Sequence, residues 1–150
     1  MSARGPEGLP VVVVVGEALV DVETSSAGAE SHPGGSPMNV AFGLARLGLP
    51  TTLHTRIGRD AHGTAISAHL SEAGVRLPPT SIVDAPTSTA TAVLDAAGRA
   101  EYTFDVAWEL PSLSIPDSSA LVHTGSIAAV LEPGADEVLR LVRARHEHEP

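Results

Sequence analysis

Five consecutive valines, Val11–Val15, constrain the fold more than any other feature of this chain. β-Branched side chains are stiff at χ1 and favour extended backbone. A run without polar alternation has no face to offer water, so the strand needs cover on both sides. That predicts a strand inside a parallel sheet with helices packed above and below it. Gly16 ends the run and Glu17 follows in "GEALVD". The glutamate also interrupts what would otherwise read as the apolar core of a signal peptide, and no cleavage site follows it. No segment reaches the length of a transmembrane helix.

The 150 residues, 43% of them hydrophobic, suffice for one domain with a real core, taken here as 1–150. The net charge of −9 argues against a nucleic-acid or anionic-membrane partner. All nine basic residues are arginine, which excludes a P-loop lysine and a Schiff-base lysine from these residues. There is no cysteine, so disulfides, thiolate nucleophiles and zinc–thiolate sites are excluded, as suits a cytoplasmic protein.

Residues 1–10 are rich in Gly and Pro and are expected to be loose. The stretch "DVETSSAGAESHPGGS" reads as a polar loop. Ser36 suits a helix N-cap and Pro37 the first helical position, with Val40, Ala41, Leu44 and Leu47 on one face and Gly48 at the end. "TTLHTRIG" alternates with Leu53, Thr55 and Ile57 on one side and predicts a strand. A second helix is expected over 60–73, with Asp60 as its N-cap and Gly74 as its stop.

Residues 79–108 change the rhythm. "STATAVLD" and "AEYTFDV" predict a hairpin about Gly98, with Tyr102, Phe104 and Val106 on a covered face and Glu101, Thr103 and Asp105 on a wet one. Trp108 adds a third aromatic to this cluster, which would cap the core or serve as a lid or subunit contact. "ALVHTG" predicts a short strand, and Pro133 opens a last helix carrying Val138, Leu139, Leu141 and Val142. His146 and His148 stand two apart, on different helix faces, and read as a chain end rather than as metal ligands.

The chemistry concentrates in "HPGGSPMNVAFGLARLG", residues 32–48. Gly34 and Gly35 lack Cβ atoms, so a ligand can approach their backbone. N–H groups at a helix start can donate to a hydroxyl or an anion. Asn39, one turn in, both donates and accepts, which suits a polyhydroxylated ligand better than a phosphate. Asp21, just past the first strand, can accept from two hydroxyls, and ligands of open α/β sheets bind at the carboxyl ends of strands. Asp21 and Asn39 would then line one pocket from two successive loops. Against these stand plainer readings: a Gly-Gly turn, a solvated acid, and a cap for Asp60.

Gly34, Gly35, Pro37, Asn39 and Ala41, followed by Gly48 and Gly58, resemble the N-terminal signature of the ribokinase-like (PfkB-type) carbohydrate kinases. "GEALVD" with "GGSPMNVA" is most similar to the fructokinase branch, and "RIGRDAHG" also resembles the family. The resemblance implies a ribokinase-like, partly doubly wound parallel α/β sheet with a small β-hairpin lid at about 80–108. It implies that Asp21, Gly34, Gly35 and Asn39 bind the sugar. Ser36 stands where ribokinases themselves carry a lysine, and Ala90, Ala92 and Phe104 of the lid, with Gly125 and Ser126, would line or close the pocket. A homodimer through the lid is also expected.

Relatives of this kind carry a later "G-x-G-D" segment, with the aspartate base and most contacts to ATP and Mg2+. The 150 residues contain no such segment. The resemblance therefore implies the sugar-binding half of an ATP-dependent kinase, without the catalytic aspartate and inactive alone, with ATP and Mg2+ acting in the complete enzyme. Fructose is the favoured sugar, and 2-keto-3-deoxygluconate is an alternative. Two other classes stay open: a non-catalytic sugar-binding or dimerisation module, and a dinucleotide-binding oxidoreductase. The last is disfavoured because the glycines here follow a long segment rather than the first strand directly.

Overall fold

The computed structural model describes residues 8–119 and 121–147; the looseness expected of residues 1–7 and the reading of His148 lie outside the described residues. In chain order the strands are β1 (Val12–Val15), β2 (Leu19–Ser25), β3 (Gly28–Gly34), β4 (Thr51–His54), β5 (Ile57–Gly58), β6 (Ile82–Val83), β7 (Thr89–Leu94), β8 (Ala100–Asp105) and β9 (Leu121–Thr124). The α-helices are α1 (Ser36–Arg46), α2 (Ala61–Ala73), α3 (Ser126–Val130) and α4 (Gly134–Glu147).

The valine run forms the middle of a three-stranded parallel sheet ordered β4–β1–β9. Successive side chains of a strand point to opposite faces. Val12 and Val14 accordingly enter one core with Met38 and Ala41 of α1 and Ile66 and Leu70 of α2. Val13 and Val15 enter a second core with Ala128 of α3 and Val138 and Leu141 of α4. Cover on both faces is what the unbroken apolar run demanded, and the arrangement is doubly wound.

The second sheet is a four-stranded lid ordered β3–β2–β7–β8, with β2 and β7 parallel and the outer pairs antiparallel. The hairpin expected about Gly98 is present as β7 and β8. The stretch expected to be a polar loop is instead the β2–β3 hairpin, so Asp21, just past β1, lies inside a second strand rather than a loop. Val20, Val22 and Thr24 alternate with Asp21, Glu23 and Ser25, and Val20 is buried in the first core. β3 carries Pro33 and little strand propensity; it is an edge strand, where proline is tolerated.

Three further expectations are corrected. All six residues of β8 are exposed, so neither of its faces is covered by the described residues. Trp108 does not join Tyr102 and Phe104 but is buried in the second core, its indole N–H donating to the Ala128 carbonyl at 3.0 Å. Helix α1 buries Met38 and Ala41, whereas Leu47 just beyond its end is exposed. Among the described residues no helix is long and apolar enough to cross a membrane.

Candidate functional site

The register of this sheet places two of the expected lid residues, Ala90 and Phe104, on one transverse row with Asp21. Asp21 pairs with His32 of β3 on one side and with Ala90 of β7 on the other, and Ala90 pairs with Phe104 of β8. Residues directly opposite one another share a face of the sheet. Ala92 lies in the next row, between Glu23 and Tyr102. With strands about 4.8 Å apart, Phe104 is about 10 Å from Asp21 across the row. Ala90 is buried, and the small alanines leave the row shallow between the acid and the aromatic ring.

Gly34 closes β3 opposite Leu19. A Cβ built there would overlap the Asp21 carboxylate, so glycine is required for the acid to lie against this backbone. Gly35 has φ +105°, a region L side chains avoid, and a Cβ on it would also sit 2.7 Å from the Glu17 carbonyl oxygen. Gly35 is the N-cap of α1, with Ser36 and Pro37 as the first two helical residues. Ser36 is therefore not the cap, and no side chain caps this helix start. The Gly35 carbonyl accepts from the Asn39 N–H at 2.9 Å. The Asn39 side chain is exposed, and neither its amide nor the Asp21 carboxylate bonds another described residue.

Gly125 and Ser126 reach the same place from the other end of the sheet. Gly125 follows β9 and is the N-cap of α3, with Ser126 exposed in the first turn. A Cβ on Gly125 would come within 2.6 Å of Pro37 Cγ, and one on Gly16 would also run into the Pro37 ring. The starts of α1 and α3 are thus pressed together over the carboxyl ends of β1 and β9. Asp21, Gly34, Gly35, Ser36 and Gly125 are brought into one contiguous region, with Asn39 one turn along α1.

Glu17 is the residue that sequence reasoning passed over. It is 4% exposed, and its backbone carbonyl underlies Gly35. Its carboxylate lies near Gly125, where the N–H groups of Glu17 and Ala128 favour the charged form. Burial outweighs them and raises its pKa, and Oε2 has no partner among the described residues. Since α3 has no side-chain cap of its own, Glu17 supplies an acceptor for its first turn. The signal was there: an acid set in an otherwise apolar run.

Asp60 is a cap, as its plainer reading held, and also a tie to the lid. Oδ1 accepts from the Gly63 N–H at 2.8 Å and from the Thr87 hydroxyl at 2.6 Å, while Oδ2 accepts from the Thr87 N–H at 2.8 Å. These bonds, the Thr87 hydroxyl foremost, lower its pKa to about 2. Thr87 leads directly into β7.

The Asp21 carboxylate lies against Gly34, next to the Gly35 cap of α1, on which Asn39 is exposed one turn along. The chain is 31% identical to fructokinase-1 of Oryza sativa subsp. japonica over 91% of its own length and 48% of that protein's. It superposes on a fructokinase of Halothermothrix orenii with a TM-score of 0.77 at 23% identity, covering 91% of this chain and 53% of the other. It superposes on a fructokinase of Xylella fastidiosa with bound ATP with a TM-score of 0.73 at 22% identity, covering 91% and 48%. The chain spans about half the length of the curated relatives it matches. The two structures support a ribokinase-like fold. The model of the pfkB family of carbohydrate kinases matches residues 10–147, and the chain belongs to that family.

Proposed function

We propose that these residues form the sugar-recognising part of an ATP-dependent carbohydrate kinase, with fructose as the substrate. The observation that carries this reading is the Asp21 carboxylate lying against Gly34, one residue from the glycine that starts α1. Asp21 accepts from sugar hydroxyls, and the amide of Asn39 both accepts and donates. Gly34 and Gly35 let the ring lie on backbone. Ala90, Ala92 and Phe104 form the lid wall above it, and Gly125 and Ser126 form the far wall. Fructose is preferred to 2-keto-3-deoxygluconate because the residues placed here offer no arginine to a sugar carboxylate.

In kinases of this kind ATP would supply the transferred phosphoryl group and Mg2+ would offset its charge. Among the described residues no group of three His, Asp or Glu side chains could hold a metal ion, and no step is assigned to either cofactor here. The 150 residues contain no G-x-G-D segment, so on this reading they bind fructose without phosphorylating it. Isothermal titration with fructose and a coupled ADP-release assay test the two halves of the proposal. Saturable binding without turnover is expected; no binding, or turnover by the chain alone, overturns it.

A second reading, self-association through the lid, rests on Tyr102 and Phe104. Their rings stack at 6.2 Å between centroids and are 62% and 65% exposed. Aromatic faces left this open are apt to meet another surface.

A further inference from the structure

We propose a second binding site, for a hydroxylated phosphate monoester, at the root of the lid, where Arg56 lines a cavity of about 430 Å3. Arg56 lies between β4 and β5 and is only 9% exposed. A guanidinium stays charged at every relevant pH, and a buried charge is unfavourable unless it is paired. Among the described residues its guanidinium makes one hydrogen bond, from Nη1 to the Pro86 carbonyl at 3.2 Å, and no described carboxylate forms an ion pair with it. Asp84, on the same cavity wall, is taken by Arg59 at 2.8 Å. Glu109 also lines the cavity without pairing with Arg56.

The cation therefore keeps most of its five donors unused beside a space within the roughly 300–1,000 Å3 range of small-molecule sites. The planar fork of donors fits a phosphate, whose oxygens can take several of them at once. Glu109 would repel a bare phosphate. It would accept from a hydroxyl on a phosphate ester, as would the Thr80 hydroxyl, while Val83 and Leu110 offer apolar wall to a carbon chain. A phosphate carrying a short hydroxylated chain satisfies all of these groups together.

The site is separate from the sugar residues and shares none with them. It is bounded by the segment that leads into β7 (Asp84 and Ala85) and by the segment that leaves β8 (Glu109 and Leu110). The two segments are pinned where they meet: the Ser88 hydroxyl accepts from the Ala107 N–H at 3.1 Å and donates to the Ala107 carbonyl at 3.3 Å. The cavity thus sits at the base on which the β7–β8 hairpin stands.

The test is isothermal titration of the 150-residue chain, without sugar and at low ionic strength, with glycerol 3-phosphate, inorganic phosphate and glycerol. Saturable binding of glycerol 3-phosphate is expected, with inorganic phosphate at least threefold weaker and no binding of glycerol. Arg56→Gln should weaken glycerol 3-phosphate at least tenfold. Thr80→Trp, which blocks the mouth from an exposed position, should do the same without moving the thermal midpoint. Absence of binding to the wild-type chain overturns the site, as does affinity unchanged in Thr80→Trp, which decides the matter should Arg56→Gln fail to fold. Inorganic phosphate binding as tightly as the ester overturns the assignment of a hydroxylated ligand.

Discussion

The carboxylate of Asp21 occupies the space that a side chain at residue 34 would fill, reaching diagonally across the β2–β3 ladder, where Gly34 pairs with Leu19 and Asp21 with His32. Either the acid or a Cβ can be there, not both. Gly34→Ala should therefore displace the exposed Asp21 carboxylate, with little loss of stability because its end can swing into solvent, and weaken fructose at least tenfold. Adding Asp21→Gly should restore none of the binding. Chemical denaturation and fructose titration of the three variants separate the two effects. A double variant that binds as the wild type does would remove Asp21 from the site.

Asn39 isolates recognition from folding. Its side chain is exposed on α1 and bonds no other described residue. Alanine is the better helix former by about half a kcal/mol, so Asn39→Ala should leave the thermal midpoint unchanged or slightly raised. Fructose affinity should nevertheless fall at least tenfold, or about 1.4 kcal/mol. Unchanged affinity would show that the amide does not touch the sugar.

The stacked Tyr102 and Phe104 make the lid reading testable without any ligand. If their open face is a contact between copies, sedimentation of the wild-type chain should show a concentration-dependent dimer. Tyr102→Ser with Phe104→Ser should shift it to monomer at equal secondary-structure content. A wild-type chain that stays monomeric at high concentration sinks the self-association reading.

What could be read in the sequence follows from how local each signal is. The valine run, the Asp60 cap and the Gly98 hairpin are set by neighbours in the chain, and each is found where its residues predict it. The β2–β3 hairpin was hidden because β3 is held by its pairing with β2 rather than by its own residues. The start of α1 was misjudged by one position. Gly35 takes the cap place with φ +105°, a backbone geometry imposed by the approach of the Glu17 carbonyl, which no local pattern announces. Trp108 went to the far core for the same kind of reason: its partner carbonyl, Ala128, is distant in sequence. The residues proposed for the pocket stand out in the sequence because glycines, an amide and an acid in spaced motifs carry chemistry that does not depend on knowing the sheet order.

Asp60 sets part of the acid limit of the fold. Its folded pKa is about 2 against an ordinary 3.8, so its contribution is fully present above pH 3.8 and is lost as pH falls through about 2. Asp60→Ala should cost about 1–2 kcal/mol at pH 7, the usual range for losing an N-cap. The variant should also show a flatter decline of stability between pH 4 and pH 2. Because Thr87 loses its partner as well, hydrogen exchange should quicken at the start of β7, next to the lid root. Exchange unchanged there would mean that Asp60 only caps α2.

Glu17 has the opposite sign. Burial raises its folded pKa above 4.5, so its favourable contribution is present below that value and is lost as pH rises through the folded pKa. The side chain is buried with Oε2 unpartnered among the described residues, which disfavours its charged form. Glu17→Gln keeps an acceptor for the Ala128 N–H and removes the buried charge. It should match the wild type at pH 4, exceed it at pH 7, and bind fructose equally well. Glu17→Ala should lose stability at both pH values, since the first turn of α3 loses its acceptor and a void opens beside Gly125. Urea melts at the two pH values decide between a residue that acts through its charge and one that acts as a neutral acceptor. If Gln is less stable than Glu at pH 7, the carboxylate is ionised in the folded chain and meets a donor other than Ala128.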